Sequence, residues 1–293
     1  MSNTSRALVL TAGSLGDTVL TLPALQELQK HSSVTVAGTS SYHQLGAQAI
    51  GVDQVIPIEP LLQSLHVGEP LNLNFWEAFS EVFLFFKDKD PKITARLSEL
   101  THLKLHQPSE SFMDFLKKER WAGDFWLELV SPGYPKDVAK NTRLILSDGV
   151  KERGLSLAHA LGHRSPFIIH PGSGSRSKNA PLSFFRKAAQ SVTAEVDMKV
   201  LVVWGEVEIP YLRDIQEGFK GLERVKVLPE PLPMPDLIAL FTQGCGYLGN
   251  DSGITHLASA CGLKTFAVFN TTDSKVWGPQ EAIILAAMQT LYK

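Results

Sequence analysis

The stretch Gly249–Pro279, GNDSGITHLASACGLKTFAVFNTTDSKVWGP, constrains the fold more than any other part of the chain. A short apolar run ends at Asn250-Asp251-Ser252-Gly253, a helical pattern starts there, and a second apolar run follows at Thr265–Phe269. A polar turn, Asn270-Thr271-Thr272-Asp273, closes the unit. Backbone N–H groups at a helix start, with a serine hydroxyl beside them, make a place for an anionic group such as a phosphate. Ile254, Leu257, Ala258 and Cys261 follow the i, i+3, i+4, i+7 spacing of a buried stripe. Ser252 and His256, one turn apart, share a different face, so His256 is expected beside the helix start and outside the core.

The same strand–helix alternation runs through the second half. Strands are expected at Phe167–Ile169, Val200–Val203, Val225–Leu228, Gly246–Leu248 and Thr265–Phe269, with helices at Pro181–Glu195, Ile209–Phe219, Pro233–Gln243 and Ser252–Cys261. Strands apolar on both faces and alternating with helices predict a parallel sheet covered on both sides. Ligands of such sheets bind outside the carboxyl ends of the strands. The residues expected there are small and polar: His170 through Ser175, Trp204-Gly205-Glu206, Asn250 through Gly253, and Asn270-Thr271-Thr272.

The first half opens in the same way. Ala7–Thr11 reads as a strand, Gly13 through Asp17 as a tight turn into a helix, and Val34–Ala37 and Gln54–Ile58 as further strands. Glycines 13 and 16 allow backbone to come close to a ligand or a neighbouring element. Pro23 lies too deep for a first turn if the helix begins at Asp17, which predicts a later start or a kink. From about residue 61 to 150 the chain is rich in Phe and Trp, with lysines between, and its periodicity assigns no topology.

Composition bounds the class. At 293 residues, 44% hydrophobic and 20% charged, the chain is a globular protein with room for two domains. A net charge of −2 gives no basic field for nucleic acid. Cys245 and Cys261, both in apolar sequence, are expected to be buried thiols with no disulfide. A polar start and the absence of a long apolar run predict a cytoplasmic protein, compatible with peripheral work at the inner face of a membrane. Asp88-Lys89-Asp90 spells a D-x-D, but Lys87, Lys89 and Lys92 around it oppose a cation. Metal-independent chemistry is expected.

Three segments carry a resemblance. GSLGDTVLTLPALQEL (Gly13–Leu28), HPGSGSRSKNAP (His170–Pro181) and Gly249–Pro279 are similar, in order and spacing, to the signatures of the lipopolysaccharide heptosyltransferase family. The resemblance spans essentially the whole chain. It implies an α/β chain of two Rossmann-like domains facing each other across a cleft, the GT-B fold. The expected division is an acceptor-side domain over 1–150, a nucleotide-sugar domain over 151–274, and a segment 275–293 that packs back toward the first domain. The implied reaction is an inverting transfer of a sugar, heptose from ADP-heptose in the family, to a hydroxyl of a lipopolysaccharide core or another glycan. The partners implied are a nucleotide-diphosphate sugar and a glycan or lipid-linked acceptor, with no cofactor.

The resemblance also implies site residues. Asp17 matches the catalytic base, and a helix cap is its other reading. Lys178 matches the donor-phosphate lysine, against a solvated lysine beside Arg176. Ser173 and Ser175 are placed to bind the same phosphates, or to form the turn. Asp251, Ser252, Gly253 and His256 match the donor-binding stretch, with Asp251 alternatively a helix cap. Glu208 aligns with a residue that contacts the ribose; Glu206 is adjacent, and a solvated loop carboxylate remains open. The chain departs from the family at Ala180, where Trp is usual, and at Thr11, where Arg or Lys is usual. A non-catalytic nucleotide-sugar-binding homologue, or another GT-B enzyme such as a nucleotide-sugar epimerase, would share much of this pattern.

Overall fold

The computed structural model describes residues 5–68, 70–87, 90–134, 142–195 and 198–286. The chain divides into two compact units, 1–141 and 142–293. The helix Asp148–Ala160, which the expected boundary at 150 would have cut, belongs whole to the second unit, where it packs on the helix Met234–Phe241.

The first unit is a five-stranded parallel sheet in the order β3-β2-β1-β4-β5. Its strands are β1 (Ser5–Thr11), β2 (Ser32–Gly38), β3 (Gln54–Pro57), β4 (Glu81–Phe85) and β5 (Lys104–His106). Central β1 pairs with β2 through Ala7–Val34 and with β4 through Ala7–Glu81, and Ala7 through Leu10 are fully buried. That is why this strand is apolar without alternation. The helix Leu15–Gln29 starts two residues before Asp17 and runs on through Pro23. The irregular aromatic stretch resolves into β4, β5 and short helices. Trp76 and Phe79 fill one face of the sheet, while Phe85 stacks on Trp126 at 5.2 Å and Phe112 and Phe115 meet Phe125 edge-on. Helices of four to eight residues are too short to show a period, so ring-to-ring packing, absent from any local pattern, organises this region.

The second unit is a six-stranded parallel sheet in the order β11-β10-β9-β6-β7-β8. Its strands are β6 (Phe167–His170), β7 (Val200–Val202), β8 (Val225–Val227), β9 (Gly246–Asn250), β10 (Thr265–Phe269) and β11 (Ile283–Ala286). Part of the expected helix at 209–219 is instead a 3-10 turn, Glu206–Tyr211, leading into the helix Leu212–Phe219. Within the segment 275–293, Ile283–Ala286 adds β11 to the edge of this sheet, Phe266 opposite Ile283. Residues 287–293 lie outside the described residues. Both cysteines are free, and Cys245 is exposed rather than buried, because it sits at the rim of the sheet immediately before β9.

Strand order fixes where each sheet can hold a ligand. In the first unit the order reverses between β1 and β4; in the second it reverses between β6 and β9. At such a point neighbouring crossovers leave in opposite directions and open a crevice at the carboxyl ends of the strands. The turn after β1 carries Asp17, the residue two past β4 is Lys87, the loop after β6 is Pro171–Ala180, and β9 leads into Asp251-Ser252-Gly253.

Candidate active site

Asp17 is the third residue of its helix, and Ser14, not Asp17, is the N-cap. Its carboxylate accepts from the Ser14 N–H at 3.0 Å and the Ser14 hydroxyl at 2.9 Å. The other oxygen accepts from Lys87 Nζ at 2.8 Å. Burial pushes the carboxyl up, but the Lys87 ammonium and the Ser14 donors outweigh it and hold Asp17 below the ordinary aspartate value. Gly13 makes room for this: a Cβ there would stand 2.7 Å from Asp17 Cβ. Lys87, read from sequence only as one of the lysines that oppose a cation at the D-x-D, is thus a member of the site. Its ammonium also lies 5.4 Å from the Phe112 ring. Of the D-x-D, Asp88 and Lys89 lie outside the described residues, and Asp90 caps the helix Pro91–Ser98 and pairs with His66. Thr11 is buried, with its hydroxyl 3.2 Å from that of Tyr42, which in turn lies 2.8 Å from Thr21.

In the second unit Lys178 and Asp251 come together. Lys178 Nζ donates to Asp251 Oδ2 at 2.8 Å, and the Thr272 hydroxyl donates to the same oxygen at 2.5 Å. Lys178 keeps a third of its side chain exposed while the Asp251 carboxylate is buried. Asp251 therefore does not cap the following helix. Ser252 does, accepting from the Thr255 N–H at 3.3 Å. Gly253 is the first helical residue, so its N–H lies outside the intrahelical ladder.

His256 departs from expectation. It is only 5% exposed, and Thr255 through Ala260 are buried without a break. The helix is enclosed by β9, β10 and the Met234–Phe241 helix, so the amphipathic division read from the spacing does not hold.

Ser173 shapes the turn. Its hydroxyl lies 2.7 Å from the Ser175 carbonyl and 2.6 Å from Asn179 Oδ1, and it accepts from the Ser175 N–H. Ser175 is exposed, with its hydroxyl 2.9 Å from that of Ser177.

Glu208 is not a solvated loop carboxylate: it is 2% exposed and turned inward. It accepts from the Gly205 N–H at 2.7 Å and the Tyr211 hydroxyl at 3.2 Å, and His170 Nε2 lies 3.4 Å away. Burial raises its carboxyl, and these partners, His170 first, bring it below the ordinary glutamate value. Gly172 exists for this packing, since a Cβ there would fall 2.0 Å from Glu208 Oε1. Glu206 is exposed.

Asn250, left out of the expected site set, clamps the loop after β6 at both ends. Its Nδ2 donates to the Pro171 carbonyl at 2.8 Å and its Oδ1 accepts the Ala180 N–H at 2.8 Å, all of it fully buried. Ala180 packs into the core of the sheet where a Trp was the family's usual residue. The one signal for Asn250 and Thr272 was their place at strand carboxyl ends. Among the described residues no three His, Cys, Asp or Glu side chains gather to hold a metal ion. No helix among them is long and apolar enough to cross a membrane.

Residues 128–291 match the family model described as glycosyltransferase family 9 (heptosyltransferase). The chain belongs to glycosyltransferase family 9. Its fold is the GT-B-like one of heptosyltransferase structures. The family-9 glycosyltransferase of Veillonella parvula matches with a TM-score of 0.76 at 17% identity, over 98% of this chain and 87% of that one. The Escherichia coli ADP-heptose lipopolysaccharide heptosyltransferase II matches with a TM-score of 0.71 at 14% identity, over 96% and 90%. Lipopolysaccharide heptosyltransferase 1 of Campylobacter coli is 24% identical over 144 residues, 48% of this chain. That match spans 42% of the relative's length, less than half of it. In this family-9 chain, the loop after β6, Asp251 and the helix start after β9 all fall inside the matched residues.

Proposed function

We propose that this family-9 chain is a metal-independent inverting glycosyltransferase that moves a sugar from a nucleotide diphosphate to an acceptor hydroxyl. ADP-heptose is the donor favoured by the names of the similar proteins, and a lipopolysaccharide core or related glycan is the acceptor. The cytoplasm, beside the inner membrane face, is its proposed place of work. The observation that carries the reading is the pair of polar sites at the two topological switch points: an ionised carboxylate in one unit and a lysine beside a helix start in the other.

In the proposed reaction Lys178 and the N–H groups of Ser252 and Gly253 hold the diphosphate and stabilise the charge that grows as it leaves. Ser173 and Asn250 set the shape of the loop, Ser175 faces the phosphates, and His256 supports the helix start from within. Glu208, engaged by Gly205, Tyr211 and His170, orders the neighbouring turn. Asp17 takes the proton of the acceptor hydroxyl as its oxygen attacks the anomeric carbon from the face opposite the diphosphate, which inverts the centre. Asp17 and the donor must meet in the ternary complex for this to occur.

The test is Asp17→Asn. It should leave ADP affinity unchanged by calorimetry and lower turnover by about a hundredfold or more, the usual scale for a lost base. Wild-type rates in this variant would reduce Asp17 to a helix-start residue. Turnover should also persist in chelator. A second reading, donor binding without transfer, is favoured by one observation: Thr11, in place of a basic residue, is closed into a buried hydroxyl chain with Tyr42. Donor binding by wild type with no transfer to any acceptor would select it.

A further inference from the structure

The end of β6 opposite the loop Pro171–Ala180 borders a cavity. This cavity of about 590 Å3 is lined by Leu155, Ser156, His159, His163 and Arg164, where the Asp148–Ala160 helix ends and the chain turns toward β6. His163 is 8% exposed, and its Nδ1 has no hydrogen-bond partner among the described residues. A buried ring nitrogen without a partner costs free energy unless a ligand or water completes it. Arg164 is exposed and forms no ion pair among the described residues. Lys199, just before β7, donates to the Gly162 carbonyl at 3.0 Å, and Lys226 on β8 lies 3.5 Å from the Leu161 carbonyl.

We propose that this cavity binds a phosphomonoester group, supplied by a soluble phosphate ester or by a lipid headgroup. The chemistry of the wall selects it. Two imidazoles and an unpaired guanidinium can offer N–H donors from several sides, as a tetrahedral oxyanion requires, and the arginine fork can bind two of its oxygens at once. Lys199 and Lys226 add positive potential. Burial, and then these two ammonium groups, push the His163 imidazole below its ordinary value, so the ring is neutral and its Nδ1 can carry the proton that a phosphate oxygen accepts. Leu155, more than half exposed at the rim, offers an apolar contact to the organic part of the ligand. The site stands at the amino ends of the strands, whereas the donor loop stands at their carboxyl ends, so the two can be filled independently.

The experiment uses the full chain with saturating ADP, so that the donor loop cannot take the probe. Inorganic phosphate is titrated by calorimetry and by histidine NMR; in parallel, vesicles of phosphatidylcholine with and without phosphatidic acid are used in flotation. Phosphate binding that raises the His163 pKa, and weakens at least about tenfold in both Arg164→Ala and His163→Gln, supports the site. Arg164→Ala removes an exposed side chain and should fold; circular dichroism and melting of both variants check this. Flotation only with phosphatidic acid, lost in Arg164→Ala, supports a lipid source. No binding of phosphate or of phosphatidic-acid vesicles overturns the proposal, and so does binding that both variants leave unchanged.

Discussion

Lys87 Nζ stands 2.8 Å from Asp17 Oδ1, joining two residues seventy apart in sequence at the switch point of the first sheet. The ammonium group keeps Asp17 ionised against the burial that would protonate it. Lys87→Met removes that charge and leaves the burial, so the Asp17 carboxyl must rise. The acid limb of kcat/KM, measured across pH, should move to higher pH in this variant, while Lys87→Arg should largely retain the wild-type limb. An unmoved limb would disconnect Asp17 from the reaction or Lys87 from Asp17.

Lys178 and Asp251 form the corresponding pair in the second unit, and it changes what Lys178→Ala should do. An exposed lysine is usually dispensable for stability. Here its removal leaves a buried carboxylate with the Thr272 hydroxyl alone, and a buried charge that loses its partner is costly. Lys178→Ala should therefore lower both the melting temperature and ADP affinity. Adding Asp251→Asn should restore much of the stability without restoring binding. Melting curves and calorimetry on the single and double variants separate the two roles; recovered affinity in the double variant would remove Lys178 from the donor site.

Asn250→Ala breaks both ends of the Pro171–Ala180 clamp. Each buried group left unsatisfied costs about 1–3 kcal/mol. A melting shift of about 5 °C or more is expected for the second unit, with weaker ADP binding because the loop loses its shape. Asn250→Asp should not rescue, since a carboxylate accepts from the Ala180 N–H but cannot donate to the Pro171 carbonyl. Differential scanning fluorimetry with and without ADP reads both effects.

Glu208 gives a pH dependence of stability. Its folded-state value lies below the ordinary glutamate value of 4.5, so its contribution is complete above that value and is lost as pH falls through the folded one. Glu208→Gln should be less stable than wild type at pH 7, and the gap should close on acidification below about pH 4.5. Urea unfolding at pH 7, 5 and 4 measures it. A gap that stays constant would mean that Glu208 contributes through shape alone.

The sequence by itself determined the elements whose signal is local. β1, β2, β6 and β10 are runs of apolar and β-branched residues, and a helix starts at the polar turn Asn250-Asp251-Ser252-Gly253, as its composition predicts. The order of these runs was enough for a parallel α/β chain with its polar residues at strand ends. The tertiary structure alone decided the rest. β4 and β5 are hidden among aromatics because the helices beside them are too short to show a period. His256 is buried because neighbours close over a face that its spacing left open. Lys87 joins Asp17, Asn250 clamps a loop that begins seventy-nine residues earlier, and Glu208 turns into the space left by Gly172. The physical reason is common to all of these. Hydrogen bonds and ion pairs between distant residues leave no periodicity in the chain, and they exist only once strand order has brought the ends of particular strands side by side.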